Sequence, residues 1–461
     1  MVLAKLTTPK KTNALRKIFY LTFSVLFIAS CTPGFGQDNS PYSRYGLGDL
    51  VPSTNINTRA MGGISTGYND IYSINFNNPA SYSWFYAQKE PKSNKLLYGR
   101  AILDIGLNFE NRTLIEPNKP GKFTASNALF SHVQVGIPLR KGWGLSFGLR
   151  PVTRISYKII QGGRVENGTD STSTLSEGDG GAYLPTIGTG FKIGHLSLGV
   201  NVGYMFGKKD YSTRKSIIND TVSFNAGNFE TKTNYGDFYF NMGAQYRANL
   251  DSSTFLTLGA YGNLKHHINA TQDQVRETFY YDPNQGYVRL DSVYEKTGTK
   301  GVIEYPASFT VGATLERTPG IKKSGWLIGV DFSRTNWQDY RFFGQVDSLQ
   351  NKWELRVGGE LRPAFDAARK SYFGNVAYRA GFFIGPDYIK VKEVMPQFGA
   401  TLGLGLPLRN FNRLNNQATF INIAFEYIKR GNNDNLLKEN LFRFSVGFSL
   451  SDLWFSKKKY E

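Results

Sequence analysis

Cysteine, histidine and long apolar runs are what this chain has least of. Among 461 residues there is one cysteine, Cys31, and there are four histidines. Cys31 falls within the first 36 residues, so a chain matured beyond it has no thiol. That excludes disulfides and thiolate chemistry, and an oxidising compartment adds nothing to its stability. His132 and His195 stand alone, and the neighbours His266 and His267 face opposite sides of any extended strand. No cysteine or carboxylate spacing completes a ligand set, so no metal site is read. Ser131 precedes His132, but adjacent residues of a regular strand also point apart, which keeps nucleophile from base. The sequence therefore reads as non-enzymatic, with no catalytic residue, metal or cofactor. It shows no basic helix and no aromatic-basic RNA motif, so nucleic acid is not an expected partner. Beyond the first 36 residues no apolar run approaches the roughly 20 residues of a membrane helix.

The start of the chain has a clear pattern. Lys5, Lys10, Lys11, Arg16 and Lys17 precede an apolar stretch from Ile18 to Ala29, followed by small residues. This is a secretory signal peptide. Cleavage after Gly36 suits an ordinary signal peptidase, while Ile28-Ala29-Ser30-Cys31 resembles a lipobox that would make Cys31 a lipidated first residue. The first is favoured, because a protein already embedded in a membrane gains little from a lipid. The precursor carries a net charge of +18, and removing the five leader cations leaves +13. The cations are scattered, as in solvated turns and tails, and would also favour anionic lipid head groups.

Glycine (49 residues) and aromatics (15%) are abundant, and from about residue 93 the apolar period becomes two. Phe442, Phe444, Val446, Phe448 and Leu450 alternate with Arg443, Ser445, Gly447 and Ser449. Leu196 to Tyr204, Phe238 to Ala244, Trp326 to Phe332 and Ile421 to Tyr427 repeat the pattern. Apolar side chains facing lipid and polar ones facing a lumen define a membrane β-barrel, the one architecture besides helices that satisfies its backbone in hydrocarbon. About fourteen such runs begin near residues 95, 124, 143, 183, 196, 235, 254, 301, 324, 352, 372, 394, 417 and 438. Short connections near 140–142, 194, 251–253, 319–320, 363–370 and 407–415 alternate with longer ones near 111–122, 160–181, 207–234, 265–300, 340–350, 385–393 and 429–437. Short periplasmic turns and long outer loops have this phase. Trp143, Tyr157, Trp326, Trp337, Trp353, Trp454 and Phe455 lie near strand ends, where aromatic rings mark the head-group level. The expected fold is an all-β, antiparallel transmembrane barrel of about 14 strands, with outer-membrane lipids around it.

Residues 37–92 break the period. Arg59-Ala60-Met61-Gly62-Gly63 and Asn78-Pro79-Ala80-Ser81 are turn-forming, yet Phe76, Trp84 and Phe85 are too apolar for a solvated tail. The segment is read as a plug inside the barrel. These two motifs resemble the N-terminal hatch of the FadL-like family of outer-membrane transporters for long-chain fatty acids and hydrophobic compounds. Trp143 to Leu149, Trp337 to Tyr340, Trp353 to Pro363, Tyr378 to Phe382 and Gly403 to Gly405 follow that family's order. Ser40 to Gly46 resembles a branch found in Bacteroidetes-type bacteria.

The resemblance implies a Gram-negative outer-membrane location and passive, hatch-gated uptake of a hydrophobic ligand, with lateral exit through a kinked strand. Arg59, Gly62, Gly63, Asn78, Pro79 and Ala80 would serve the hatch. Pro151, which cannot donate to the ladder, is the candidate lateral opening. The domain boundaries read from the sequence are signal peptide 1–36, hatch 37–92, barrel 93–455 and basic tail 456–461. Asp331, Arg356, Glu360, Arg379, Glu426 and Arg443 fall on lumen-facing positions. There they either pair and hold the plug or line a selective path. Relatives in gliding bacteria serve protein-secretion machines, so the alternative is a non-enzymatic accessory or plugging subunit of a larger outer-membrane complex such as a protein-secretion translocon.

Overall fold

The computed structural model describes residues 40–454, apart from 91–94, 118–119, 166–169, 220–223, 283, 322, 365–371 and 409–416. The leader, both candidate cleavage sites, Phe455 and the tail 456–461 lie outside the described residues. Among the described residues fourteen antiparallel strands make up the wall. They are β1 (Leu96–Ile115), β2 (Lys122–Arg140), β3 (Trp143–Arg164), β4 (Ser171–Ile193), β5 (Leu196–Ile218), β6 (Ala226–Asn249), β7 (Thr254–Asn263, resuming as His266–Asp282), β8 (Gly286–Tyr305, resuming as Ser308–Arg317), β9 (Gly325–Thr335), β10 (Lys352–Arg362), β11 (Ala377–Val391), β12 (Glu393–Leu408), β13 (Ala418–Arg430) and β14 (Lys438–Trp454). β14 pairs with β1 from Lys438↔Ile115 to Trp454↔Gly99 and closes the cylinder. Closure leaves no sheet edge in hydrocarbon.

The period-two reading holds strand by strand. On β14, Arg443, Ser445 and Ser449 are buried, while Phe442, Phe448 and Leu450 are exposed on the outer face. Trp143, Trp353 and Trp454 are exposed near strand ends as expected. Tyr157 and Trp337 are not: both are buried, and Trp337 packs inside against Tyr388 with ring centres 4.7 Å apart. Proximity to a strand end did not reveal which face they occupy.

Several loops expected to be long are strand instead. Most of the described residues within 160–181, 207–234 and 265–300 extend β3 to β8 as paired strands. The stretch 385–393 is also β11 and β12, turning at Lys392, whose φ is +65°. The lipid band explains the misreading. β5 faces outward with Leu196, Leu198, Val200, Val202, Tyr204 and Phe206, about the length a tilted strand needs to cross. The next outward positions are charged: Lys208 pairs with Asp179 at 2.7 Å, and Arg214 with Glu177 at 3.3 Å. Above the lipid the ladder continues in water, where no apolar face is required and the alternation disappears. The other miss is β11, which starts at Ala377 rather than near 372.

The wall is not continuous over its whole height. β2 and β3 pair only from Val133↔Leu149 down to Arg140↔Trp143. Above that level β2 pairs with β1 alone, and β3 with β4.

Candidate functional site

Residues 40–90 run down the lumen from the outer end to the periplasmic rim. Ser40 donates from its backbone N–H to the Ser156 carbonyl at 3.3 Å, and Ala87 pairs with Gly99 at the foot of β1. Between them one helical turn, Ile56–Arg59, is capped by Asn55, whose side chain accepts from Thr58 N at 3.0 Å. The turn ends at Gly62 and Gly63, with φ of +69° and +87°. A left-handed pair terminates a helix and is open to glycine at little cost.

Six expected hatch residues are packed against the wall. Arg59 is 2% exposed and donates to Asn108 Oδ1 (2.6 Å), Ser131 Oγ (3.1 Å), Ser445 Oγ (3.3 Å) and the Thr54 carbonyl (2.7 Å). Burial pulls its pKa down to about 10, so it stays charged at neutral pH. Its Nε lies 4.0 Å from Glu426, and Arg443 bridges Glu426 to Glu110 at 3.1 and 2.6 Å. Gly62 N donates to Thr401 Oγ1 at 2.8 Å. The Gly63 carbonyl accepts from Arg356 at 3.5 Å, and Arg356 is held by Glu354 at 2.5 Å. Asp331, wholly buried, accepts from the Ser65 and Thr66 N–H groups at 2.6 and 3.0 Å and from the Thr66 hydroxyl. Asn78 caps the turn Pro79–Trp84, accepting from Ala80 N at 3.2 Å, and donates to the Thr66 carbonyl at 2.7 Å.

The lumen charges therefore divide into two groups. Asp331, Arg356, Glu426 and Arg443 engage the N-terminal segment directly or through one partner. Glu360 and Arg379 pair with each other at 2.9 Å and with Arg362 and Asn422, all on the wall.

The seat itself is made of glycine. A β-carbon at Gly358 would come within 2.0 Å of the Met61 carbonyl, one at Gly381 within 2.2 Å of Gly62 N, and one at Gly199 within 2.3 Å of Pro79. The segment rides directly on wall backbone. The alternation in the sequence sets Gly199 opposite the apolar face of its strand without showing what it touches.

Two features were not anticipated. One is a charged lock at the outer end. Asp49 accepts from Arg112 (2.7 Å) and Arg430 (2.9 Å), which share Glu439, and Arg430 also meets Asp387 at 2.5 Å. Burial opposes ionisation of Asp49, but the two guanidiniums outweigh it and hold its pKa at about 2. Asp49 is the one acid between Ser40 and Arg59, a signal the sequence did contain. The other is a bulge in β2. Gly106 pairs with His132 and Leu107 with Phe130, so Ser131 is an extra residue and both it and His132 turn inward. Ser131 Oγ lies 3.1 Å from His132 Nδ1, and His132 Nε2 lies 3.5 Å from Asp104. The expectation that the neighbours point apart is corrected. The trio is a joint rather than a reaction centre: all three are buried and Arg59 bonds to the hydroxyl.

Pro151 stands two residues beyond the last β2–β3 pair, and the β3–β4 register shifts between Pro151 and Thr153. At this parting the N-terminal segment supplies the missing neighbour. Asp49 and Leu50 pair with Arg154 and Thr153, and Val51 N donates to the Val152 carbonyl at 3.0 Å. Behind it lies a chamber of about 180 Å³ lined by Leu50, Val152, Leu184, Met205, Tyr239 and Arg150 among others. Tyr305, Trp337, Tyr340 and Tyr388 pack over it toward the outside, and Tyr388 donates to the Gly48 carbonyl at 2.6 Å.

Comparison with known proteins agrees with this architecture. A Pseudomonas aeruginosa FadL homologue superposes with a TM-score of 0.53 at 14% identity, covering 89% of this chain and all of that one. The CymD monoaromatic hydrocarbon channel gives 0.50 at 12%, covering 88% and 98%. The Pseudomonas putida toluene transporter TodX gives 0.50 at 15%, covering 88% and 99%. At these identities the likeness is one of fold. No curated protein matches the chain. The BamG family model matches residues 15–461. The protein is an outer-membrane β-barrel that belongs to the BamG family and is built on the FadL-type fold.

Proposed function

We propose that the protein admits hydrophobic small molecules, long-chain fatty acids among them, by passive passage through the outer half of the lumen. In this reading residues 37–92 form the hatch, and Arg59, Gly62, Gly63, Asn78, Pro79 and Ala80 seat and release it. The parting of the wall beside Pro151 is the lateral exit, and the opening Ser40 to Gly46 places the source in a Bacteroidetes-type bacterium. The observation that carries the proposal is the parting of the β2 and β3 backbones, where the N-terminal segment pairs with β3 through Asp49–Leu50 in front of the chamber. Its lining is mixed, with Leu50, Val152, Leu184 and Met205 beside Arg150, Asn241, Lys352 and Arg356, which suits a ligand with both an apolar and a polar part.

The test is a reversible staple. Thr66 and Asp331 touch through their side chains, so Thr66→Cys with Asp331→Cys can be linked by oxidation in an otherwise thiol-free mature chain. Uptake of labelled oleate into reconstituted vesicles is expected to stop when oxidised and to return on reduction. Equal uptake in both states would overturn the gating role.

The second reading, a non-enzymatic accessory subunit of a larger outer-membrane complex, draws support from β3 to β8. These strands stand well above the lipid band and offer surface that passage alone does not need. Stoichiometric co-purification with a second large barrel from native membranes would favour it.

A further inference from the structure

Several cations around the periplasmic mouth have no carboxylate partner among the described residues. Lys141 and Lys323 lie on the connections after β2 and β8, and Lys192 and Arg317 at the periplasmic ends of β4 and β8. Among the described residues none of the four meets a carboxylate in an ion pair. The acids nearby are engaged elsewhere. Glu316 holds Arg247 at 2.5 Å and Arg362 at 3.2 Å, and Asp251 accepts from the Ser253 and Thr254 N–H groups at 2.6 and 2.7 Å.

The turns also touch one another. Lys192 N donates to the Gly142 carbonyl at 2.8 Å, Arg247 N to His195 at 3.0 Å, and Thr318 N to Ser253 at 2.9 Å, so the cations form one arc.

Inside the arc opens a vestibule of about 910 Å³, with Ile71, Tyr72 and Trp84 of the N-terminal segment and Phe420 and Pro319 of the wall among its lining. Three carboxylates also line it: Glu316 and Glu360 are paired with arginines, and Asp70 is bonded to Asn57, Tyr68 and Ser73. Lys192 Nζ sits 3.5 Å and Arg247 Cζ 4.6 Å from the centre of the Trp84 ring. Two buried polar atoms of lining residues, Trp84 Nε1 and Asn69 Oδ1, have no hydrogen-bond partner among the described residues.

We infer that this mouth docks an acidic segment of a periplasmic protein that carries an aromatic anchor. Like-charged turns around an apolar recess favour a chain with carboxylates flanking a buried ring, since complementary charge steers encounter and the recess supplies apolar area. A phospholipid fits less well. The recess opens inside the ring of strands, on the aqueous end of the lumen, where acyl chains of the surrounding bilayer do not lie. The inference is independent of ligand uptake, because it concerns the opposite end of the lumen from the chamber.

The mature protein in nanodiscs of zwitterionic lipid would be titrated with a fluorescent peptide alternating glutamate pairs with phenylalanine. The controls are its glutamine counterpart, polyglutamate without phenylalanine, and vesicles containing phosphatidylglycerol. The expected result is saturable binding of the acidic aromatic peptide that weakens with salt. It should also weaken about tenfold in Lys141→Glu/Arg317→Glu/Lys323→Glu and fall again in Phe420→Ser. If the triple variant fails to assemble, the salt titration and Phe420→Ser still decide. No binding, binding unchanged by salt or by the tested variants, polyglutamate binding as tightly, or a charge-dependent interaction confined to the vesicles would each overturn the inference.

Discussion

Single residues hold the N-terminal segment through two kinds of contact, charge and close approach. Arg59→Met keeps the bulk of the stem but leaves Asn108, Ser131 and Ser445 without their shared donor. The segment should loosen by about 1–3 kcal/mol, the cost of unsatisfied buried groups. Faster proteolysis within residues 40–90, in a barrel that still shows heat-modifiable migration, would register it. Gly358→Val tests the other contact. Its β-carbon meets the Met61 carbonyl at 2.0 Å, and neither backbone can yield easily. Overpacking of this kind costs about 1–3 kcal/mol. The same protease assay should show the segment displaced, whereas Ile328→Ala, on the outer face of neighbouring β9, should leave it seated.

At the scale of elements the outer lock determines when the top of the segment can move. Asp49 has its carboxyl held at about 2 against an ordinary 3.8. A depressed folded pKa gives a contribution that is complete above the free value and is lost as pH falls through the folded one. The lock should therefore be intact from pH 7 to about 4 and release only toward pH 2. Hydrogen exchange of the amides of residues 43–51 across that range checks the window, and opening already at pH 5 would contradict the assignment. The gap in the wall is also a property of elements. On one side β2 bulges at Ser131, two residues beyond its last pair with β3, and on the other the β3–β4 register shifts beside Pro151, so both strands are irregular where they part and Asp49–Leu50 inserts.

The whole molecule sets opposite rules for the two faces of one strand. Val446→Arg places a cation against lipid and should cost about 2–4 kcal/mol at the bilayer midplane. Ser445→Arg, one residue away, looks harmless from the alternation alone, because it faces the lumen. In the folded protein Ser445 is fully buried and bonds to Arg59 and Asn108. It should assemble as a barrel but with its N-terminal segment dislodged, whereas Val446→Arg should fail earlier, at membrane insertion. Folding yield into vesicles, followed by proteolysis, separates the two outcomes.

The barrel was legible because lipid imposes its period directly on the sequence. Phe442 to Leu450 alternate as a strand does with one apolar side, the same alternation recurs strand after strand, and the short turns after β2 and β4 punctuate that pattern. Where the strands rise into water the constraint ends, and 207–218 and 226–234 read as loop although they are strand. The hatch motifs were legible as turn-formers, and their place inside the barrel followed from their aromatic content. Their partners were not, because they lie far away in the chain, many of them hundreds of residues off. Met61 rests on Gly358, Thr66 on Asp331 and Asp49 on Arg430, contacts that exist only once fourteen strands close around the segment. Local chemistry thus determined which residues face lipid and where the chain turns. Closure of the cylinder decided which glycines are seats, which charges are locks, and that Ser131 and His132 share a side, because those depend on distances that no stretch of sequence contains.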